Sequence, residues 1–300
     1  LEMNLANFIK VYPQVEVEAL YKRLSWTELC LEAGLLNDVD PELVRNFARM
    51  VKTRLLVCDD HEYLNSLHQL ATDGSITSSS HQLMLHYDFW QQSGEHLGFK
   101  DINDSLNRLE HQWLKAELSS LTTLLIDRIH HKQETMPLMG EHPIKLHARY
   151  AREQILVGFG ATTFERQPNS REGVYHIQDQ DIYLLFVTLN KNDRQFTPTT
   201  MYHDYAINES LFHWQSQNQS RPENGRGKEF IEHKEIGKRI FLFVREQNND
   251  EHGRTMGFVN FGEVEYVSHT GSQPMNITWK LRNTMPAFMW KQAAKLAMAE

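Results

Sequence analysis

The stretch DIYLLFVTLN, residues 181–190, decides how the second half of the chain folds. Apolar side chains occupy both alternating sets of positions, so a strand formed from this stretch would be covered on both of its faces. Its aromatic and β-branched residues favour a strand over a helix. We therefore expect a central strand in a sheet that packs against other elements.

Six further short segments rich in aromatic and β-branched residues lie around this stretch, separated by polar or glycine-containing connections. They are EGVYHIQ, ESLFHWQSQ, KEFIEHKE, RIFLFVRE, VNFGEVEYVSH and MNITWKL. Because no helix between them is long enough for a parallel crossover, the pattern favours an antiparallel sheet closed into a small barrel. PAFMWKQAAKLAMAE, residues 286–300, predicts a helix that covers it.

The first half of the chain has helical patterns, so the fold class is α+β. We expect an all-helical connector over residues 1–145 and a β-barrel domain with flanking helices over residues 146–300, divided near the prolines of residues 132–143. Ser25 and Glu28 form a capping box. The longest helical pattern carries an apolar core stripe of Leu106, Leu109, Trp113, Leu114, Leu118, Leu121, Leu124 and Leu125.

Composition bounds the class of protein. Hydrophobic residues make up 40% and charged residues 23% of the chain, enough for a buried core. No apolar run approaches the roughly 18 residues of a membrane span, and the N-terminus is not a signal peptide. Two cysteines, Cys30 and Cys58, are too few for a disulfide framework. We therefore expect a cytoplasmic protein with no membrane partner.

The net charge of −8 is unevenly distributed. Residues 1–145 hold 13 Lys+Arg and 21 Asp+Glu, whereas residues 146–300 hold 18 of each. Phosphate groups are repelled less by the second half, so a DNA-binding surface is expected there.

Motifs for catalysis are absent from the sequence. There is no GxxxxGK[ST], GxSxG or HExxH, and the sixteen histidines lack the spacing of metal ligands. The carboxylates of DDHE, residues 59–62, are explained by a helix cap at Asp60. We expect no catalytic residue, metal or cofactor, although an unrecognised acid/base pair stays open.

Residues 171–281 resemble a bacterial family. The resemblance rests on REGVY, FVTLNK, FTPTTMYHDYAI, LFHWQSQ, HKEIGKRIFLFVRE and YVSHTGSQPM. They are similar to the C-terminal domain of unknown function that follows a phospholipase-D-type nuclease and a superfamily 2 helicase in restriction proteins. The helical half resembles the segment that joins the helicase to that domain.

The resemblance implies a role in phage defence by type IV restriction, in which DNA containing 5-methylcytosine or 5-hydroxymethylcytosine is cut. The C-terminal region of such enzymes is the target-recognition domain, with a fold like the base-flipping SRA and PUA barrels. The chain lacks the HxK motif of the nuclease and the helicase motifs. The implied partners are double-stranded DNA with modified cytosine, the helicase and nuclease domains of the parent chain, and a homodimer mate.

A pocket for a flipped base needs stacking walls and hydrogen-bonding groups. Residues 196–217 contain both kinds: four aromatic walls, one carboxylate acceptor for the cytosine amine, and four groups for the base edge or phosphate. The expected aromatic walls are Tyr202, Tyr205, Phe212 and Trp214. The carboxylate acceptor is Asp204, and the groups for the base edge or phosphate are Thr199, Thr200, Ser216 and Gln217. Strand alternation places Phe212 and Trp214 on one face and His213 and Gln215 on the other. The alternatives are that the rings are core and that Asp204 caps a turn.

Contacts to the DNA backbone are expected from residues 221–239, which hold six Lys+Arg and four acidic residues, a net charge of +2. These cations are Arg221, Arg226, Lys228, Lys234, Lys238 and Arg239. A solvated hairpin surface is the alternative for each of them. The competing function is a protein-interaction or dimerisation module of the helicase–nuclease with only non-specific DNA contact.

Overall fold

The computed structural model describes residues 3–169, 171–190 and 204–290, together with Ala293. The chain forms two compact units. The helical unit comprises residues 1–133, 141–169 and 251–257, and the sheet unit comprises residues 134–140, 170–250 and 258–300. Residues 146–169, which the sequence pattern assigns to the second domain, pack within the helical unit.

The helical unit contains nine named α-helices and a two-residue strand within its described part. They are α1 Leu5–Val11, α2 Val17–Arg23, α3 Trp26–Glu32, α4 Pro41–Met50, α5 His61–Asp73, α6 Ser79–Trp90, α7 Ile102–Asn107, α8 Gln112–Ile126, β1 Arg149–Tyr150 and α9 Arg152–Gly158. A π-helical turn, Val51–Leu55, follows α4. The capping box of Ser25 and Glu28 is confirmed at the start of α3. None of the helices in the described ranges has the length and apolar character to cross a membrane.

Asp88 is a buried carboxylate in α6 of the helical unit, and its side chain is 1% exposed. It accepts hydrogen bonds from the Tyr63 hydroxyl at 2.7 Å and from the Gln154 amide at 2.9 Å, and the Arg54 guanidinium lies 3.7 Å away. Burial raises the pKa of Asp88 to about 6, because the charged form loses its hydration. The carboxyl group therefore ties α5, α6 and α9 together.

The sheet unit contains seven strands and a short helix. They are β2 Val174–Ile177, β3 Ile182–Asn190, β4 Tyr205–Asn208, β5 Leu211–Gln215, α10 Gly225–Ile231, β6 Arg239–Gln247, β7 Phe258–Thr270 and β8 Asn276–Leu281. The strands lie in the order β2-β3-β6-β7-β8-β5-β4. β3 and β6 run parallel, and the other neighbouring pairs in this order are antiparallel.

The expected closed barrel is wrong: the sheet is open. Its order ends at β2 and β4, and these two edge strands are not paired with each other in the described part of the chain. Closure would need hydrogen bonds between β2 and β4, and five strands lie between these two in the sheet. The pairing also departs from the expected antiparallel pattern, because β3 runs parallel to β6. The chain between them, which includes β4, β5 and α10, acts as the crossover without a long helix.

Two local predictions in the sheet unit also differ from the structure, and the longest helical pattern of the first half is divided into α7 and α8. KEFIEHKE, residues 228–235, was expected as a strand but begins within helix α10, and Tyr205–Asn208 forms the unexpected edge strand β4. Helix α10 packs closely against the preceding loop at Gly227. A Cβ atom at this position would lie only 2.1 Å from the carbonyl oxygen of Arg221. Glycine is therefore required at that position.

The core of the sheet unit is built from one alternating set of residues. Phe212 is 0% and Trp214 is 5% exposed, and both contribute to a cluster with Phe230 of α10 and Trp279 of β8. The ring centroids of Trp214 and Phe230 lie 5.5 Å apart, and those of Trp214 and Trp279 lie 6.1 Å apart. In β3, residues 182–187 are all buried, which confirms the expectation for a strand covered on both faces.

We predict that replacing Asp88 with Asn changes the pH dependence of stability. Between its ordinary pKa of 3.8 and the folded pKa of about 6, the folded state retains a proton that the unfolded state releases, so wild-type stability falls as pH rises. The free energy of unfolding of wild type relative to Asp88→Asn should fall by about 1–3 kcal/mol from about pH 4 to about pH 7. Denaturant unfolding across this range measures it, and a pH-independent difference would contradict it.

A second prediction compares neighbouring residues of β5. Phe212→Ala should lower the free energy of unfolding by about 3–5 kcal/mol, because it leaves a cavity in the core. His213→Ala, on the half-exposed face, should cost less than about 1 kcal/mol. Chemical denaturation of the full chain compares the two variants. Equal losses would show that Phe212 does not carry the packing described above.

Candidate nucleic-acid interface

The sheet unit has an open face made by strands β4, β5 and β8. Along these strands the burial alternates, and the side chains opposite the core are half-exposed or exposed. We call this surface the outer face. It consists of Tyr205, Ile207, Leu211, His213, Gln215, Asn276, Thr278 and Lys280. The register pairs Leu211 with Lys280, His213 with Thr278 and Gln215 with Asn276, so these side chains adjoin across neighbouring strands.

Two rings are stacked on the outer face. Tyr205 and His213 are cross-strand partners, with ring centroids 4.6 Å apart and ring planes inclined by 10°. Both side chains are half-exposed. The pair therefore places partly accessible aromatic side chains at the β4 edge of the sheet.

Two amides lie next to the rings. Gln215 donates from its side-chain Nε2 to Oδ1 of Asn276 at 3.1 Å. This bond uses one of the two hydrogens on Gln215 Nε2, and the Asn276 amide has donor hydrogens of its own. Hydrogen-bonding capacity of this kind recognises the edge of a base.

A group of charged side chains borders the outer face along β7. Arg239 makes two bonds to Glu263, at 2.9 and 2.8 Å, and Arg282 bridges Glu263 and Glu265 at 3.3 and 3.2 Å. Lys234 contacts Glu265 at 2.7 Å. This bond, followed by the charges of Arg282 and Lys280, lowers the pKa of Glu265. Four cations and two carboxylates give the group a net charge of +2.

The predicted pocket residues do not come together as one lining. Phe212 and Trp214 are core residues, because the inward set of β5 packs against α10 and β8. Tyr205 lies instead on the outer face. Thr199, Thr200 and Tyr202 lie outside the described residues.

The polar members of that predicted set bond within the protein. Asp204 is 7% exposed and accepts a hydrogen bond from the backbone N–H of Gln215 at 2.8 Å. Ser216 is fully buried and exchanges bonds with the backbone of Met275. Gln217 contacts Glu172 at the surface. Asp204 and Ser216 therefore hold β5 against its neighbours.

Each predicted backbone cation already has a partner in the protein. The nearest charged contacts are Arg226 to Glu172 at 3.3 Å, Lys228 to Glu232 at 3.8 Å, Lys234 to Glu265 at 2.7 Å, Lys238 to Asp181 at 3.1 Å and Arg239 to Glu263 at 2.8 Å. The Arg221 guanidinium lies beside the Gln273 amide, whose oxygen accepts from it at 2.9 and 3.0 Å when the amide is turned to the orientation that satisfies both groups. These cations do not form an unbroken positive stripe, since carboxylates lie between them.

Lys238 occupies the most enclosed of these positions, with its side chain 13% exposed. Its amino group lies 3.1 Å from His176 Nε2 and 3.5 Å from a Glu229 oxygen. The His176 ring stacks on Tyr183 with centroids 4.1 Å apart. Burial, and then the charge of Lys238, lower the pKa of His176, which favours a neutral ring whose Nε2 accepts a hydrogen bond from the lysine ammonium. Two carboxylates beside one amino group disfavour a phosphate here.

Sequence reasoning missed the contribution of β8 to the surface. Asn276, Thr278 and Lys280 alternate in MNITWKL with the buried Ile277 and Trp279. That alternation was visible, but the register that places these residues beside β5 was not. Elsewhere, within the part of the chain that the structure describes, no group of three or more His, Cys, Asp or Glu side chains is arranged to hold a metal ion.

Comparison with known proteins adds one match. The family model described as domain of unknown function DUF3427 matches residues 144–293, which is half of the chain. A search of curated proteins finds no match. The matched range includes every strand of the sheet unit and the whole outer face. On the strength of this match, the chain belongs to the DUF3427 family.

Proposed function

We propose that the sheet unit binds DNA as the target-recognition part of a helicase-linked type IV restriction enzyme, and that it recognises modified cytosine. The observation that carries DNA binding is the outer face, where the stacked rings of Tyr205 and His213 lie beside the amides of Gln215 and Asn276. The restriction context and the modified base come from the motifs in residues 171–281.

The chemistry of the outer face fits a base taken out of its stack. Unstacking costs a few kcal/mol, and stacking on an aromatic side chain returns about 1–3 kcal/mol per base. The Tyr205–His213 pair can supply that stacking because both rings are half-exposed. Gln215 and Asn276 can then hydrogen-bond the base edge, and a wrong base would leave these amides unpaired.

The second candidate is a protein-interaction module of the helicase–nuclease with only non-specific DNA contact. The pairing of Arg226, Lys228, Lys234, Lys238 and Arg239 with carboxylates favours it. A Lys or Arg side chain displaces counterions from the DNA only if it is available to contact a phosphate. Under this alternative, DNA affinity is weak and does not respond to the base.

Electrophoretic shift of paired duplexes, modified and plain in cytosine, tests the proposal. One modified duplex contains 5-methylcytosine and the other 5-hydroxymethylcytosine. We expect the protein to bind one of these two more tightly than the plain duplex. Gln215→Ala should weaken binding of the modified duplex by about 1–3 kcal/mol, because the base edge loses a hydrogen-bond partner. Gln178→Ala, at an exposed turn of the same unit, is the matched control and should not change it.

Two outcomes contradict the proposal. Equal binding to modified and plain duplexes would favour the interaction module. An unchanged affinity of Gln215→Ala for the modified duplex would remove the outer face from base recognition. Both measurements need a stated salt concentration, because phosphate contacts weaken as salt rises.

A further inference from the structure

We infer that the outer face also binds successive unstacked bases of single-stranded DNA, so that a separated strand is a substrate of this surface beside the duplex. This inference deepens the proposed function and rests on it for the choice of DNA. It is carried by the width of the face, its aromatic stack and the charge along its border.

The width of the face argues against docking into a groove. The outer face and its charged border span four adjacent strands, β4, β5, β8 and β7. At about 4.8 Å between strands, their axes span about 14 Å before side chains are added. The major groove is about 12 Å wide and the minor groove about 6 Å. An undistorted duplex therefore cannot bring base edges onto the middle of this surface.

The ring geometry requires bases that have left their stack. Tyr205 and His213 lie face to face with their planes inclined by 10°, and both side chains are half-exposed, so the accessible part of this aromatic pair can contact a further flat ring. In a duplex, each base face is already covered by its neighbours in the stack. Sheet surfaces with exposed aromatic residues bind two or three splayed bases of a single strand in this way, and such stacking accepts every base.

The border of the face has the charge that a DNA backbone needs. Lys280 is exposed on β8, and Arg282 follows at the end of that strand with its side chain 33% exposed. Lys280, Arg282, Lys234 and Arg239 are the four cations of this border, and Glu263 and Glu265 are its two carboxylates. The net charge of the border is therefore +2. A strand whose bases stack on β4 and β5 can therefore direct its phosphates towards β8.

The test is fluorescence anisotropy of the full chain with a labelled thymidine oligonucleotide of roughly 12 nucleotides and with a plain duplex of the same length. His213→Val removes the ring and retains a strand-favouring side chain. It should weaken single-strand binding roughly 5- to 150-fold and change duplex binding less than about two-fold. His213→Phe retains a ring face and should restore binding to near wild type. His96→Ala, exposed in the helical unit, is the control and should change neither.

The outcomes separate the inference from the proposed function. Duplex binding with modified-base preference but no single-strand binding would overturn the inference alone. Single-strand binding that His213→Val leaves intact would also overturn it. Binding to neither DNA would overturn both. Circular dichroism of each variant confirms that a lost affinity is not a lost fold.

Discussion

The two-residue repeat of β5 and β8 is the constraint on which the candidate site depends. Phe212, Trp214 and Trp279 must all point to one side, because they pack with Phe230 of α10 into the core. The side chains of the residues between them must then point to the opposite side of the sheet. His213, Gln215 and Thr278 face outward because their neighbours face inward. A shift of one residue in register would exchange the core for the surface.

Under the proposed function, charge pairing limits how this surface could contact DNA. The basic residues around α10 and β6 are matched with carboxylates such as Glu172 and Glu263, so the sheet unit holds its cations in place instead of presenting them as a uniform patch. Exposed ion pairs contribute little stability, and a phosphate can compete for them. Recognition would then depend on rings and amides more than on charge, and affinity would respond moderately to salt.

Local signals in the sequence predicted local structure well. The capping box of Ser25 and Glu28 begins α3, the Asp60 cap begins α5, and the apolar run of residues 182–187 is buried throughout. These features depend on residues a few positions apart. The closed barrel and the strand expected over residues 228–235 depended on distant partners. Phe230 is drawn into a helix-covered core by Tyr183 and Trp214, which no local pattern reveals.

The sequence by itself determined the α+β class, most of the strand positions and the alternation that separates Phe212 from His213. It also supplied the family motifs. Only the tertiary structure decided which alternating set is core, which strands are neighbours and which cations are paired. The physical reason is that alternation defines two faces without saying which one is covered. Covering a face requires a helix from elsewhere in the chain, and bringing Tyr205, His213 and Asn276 together requires three strands in register.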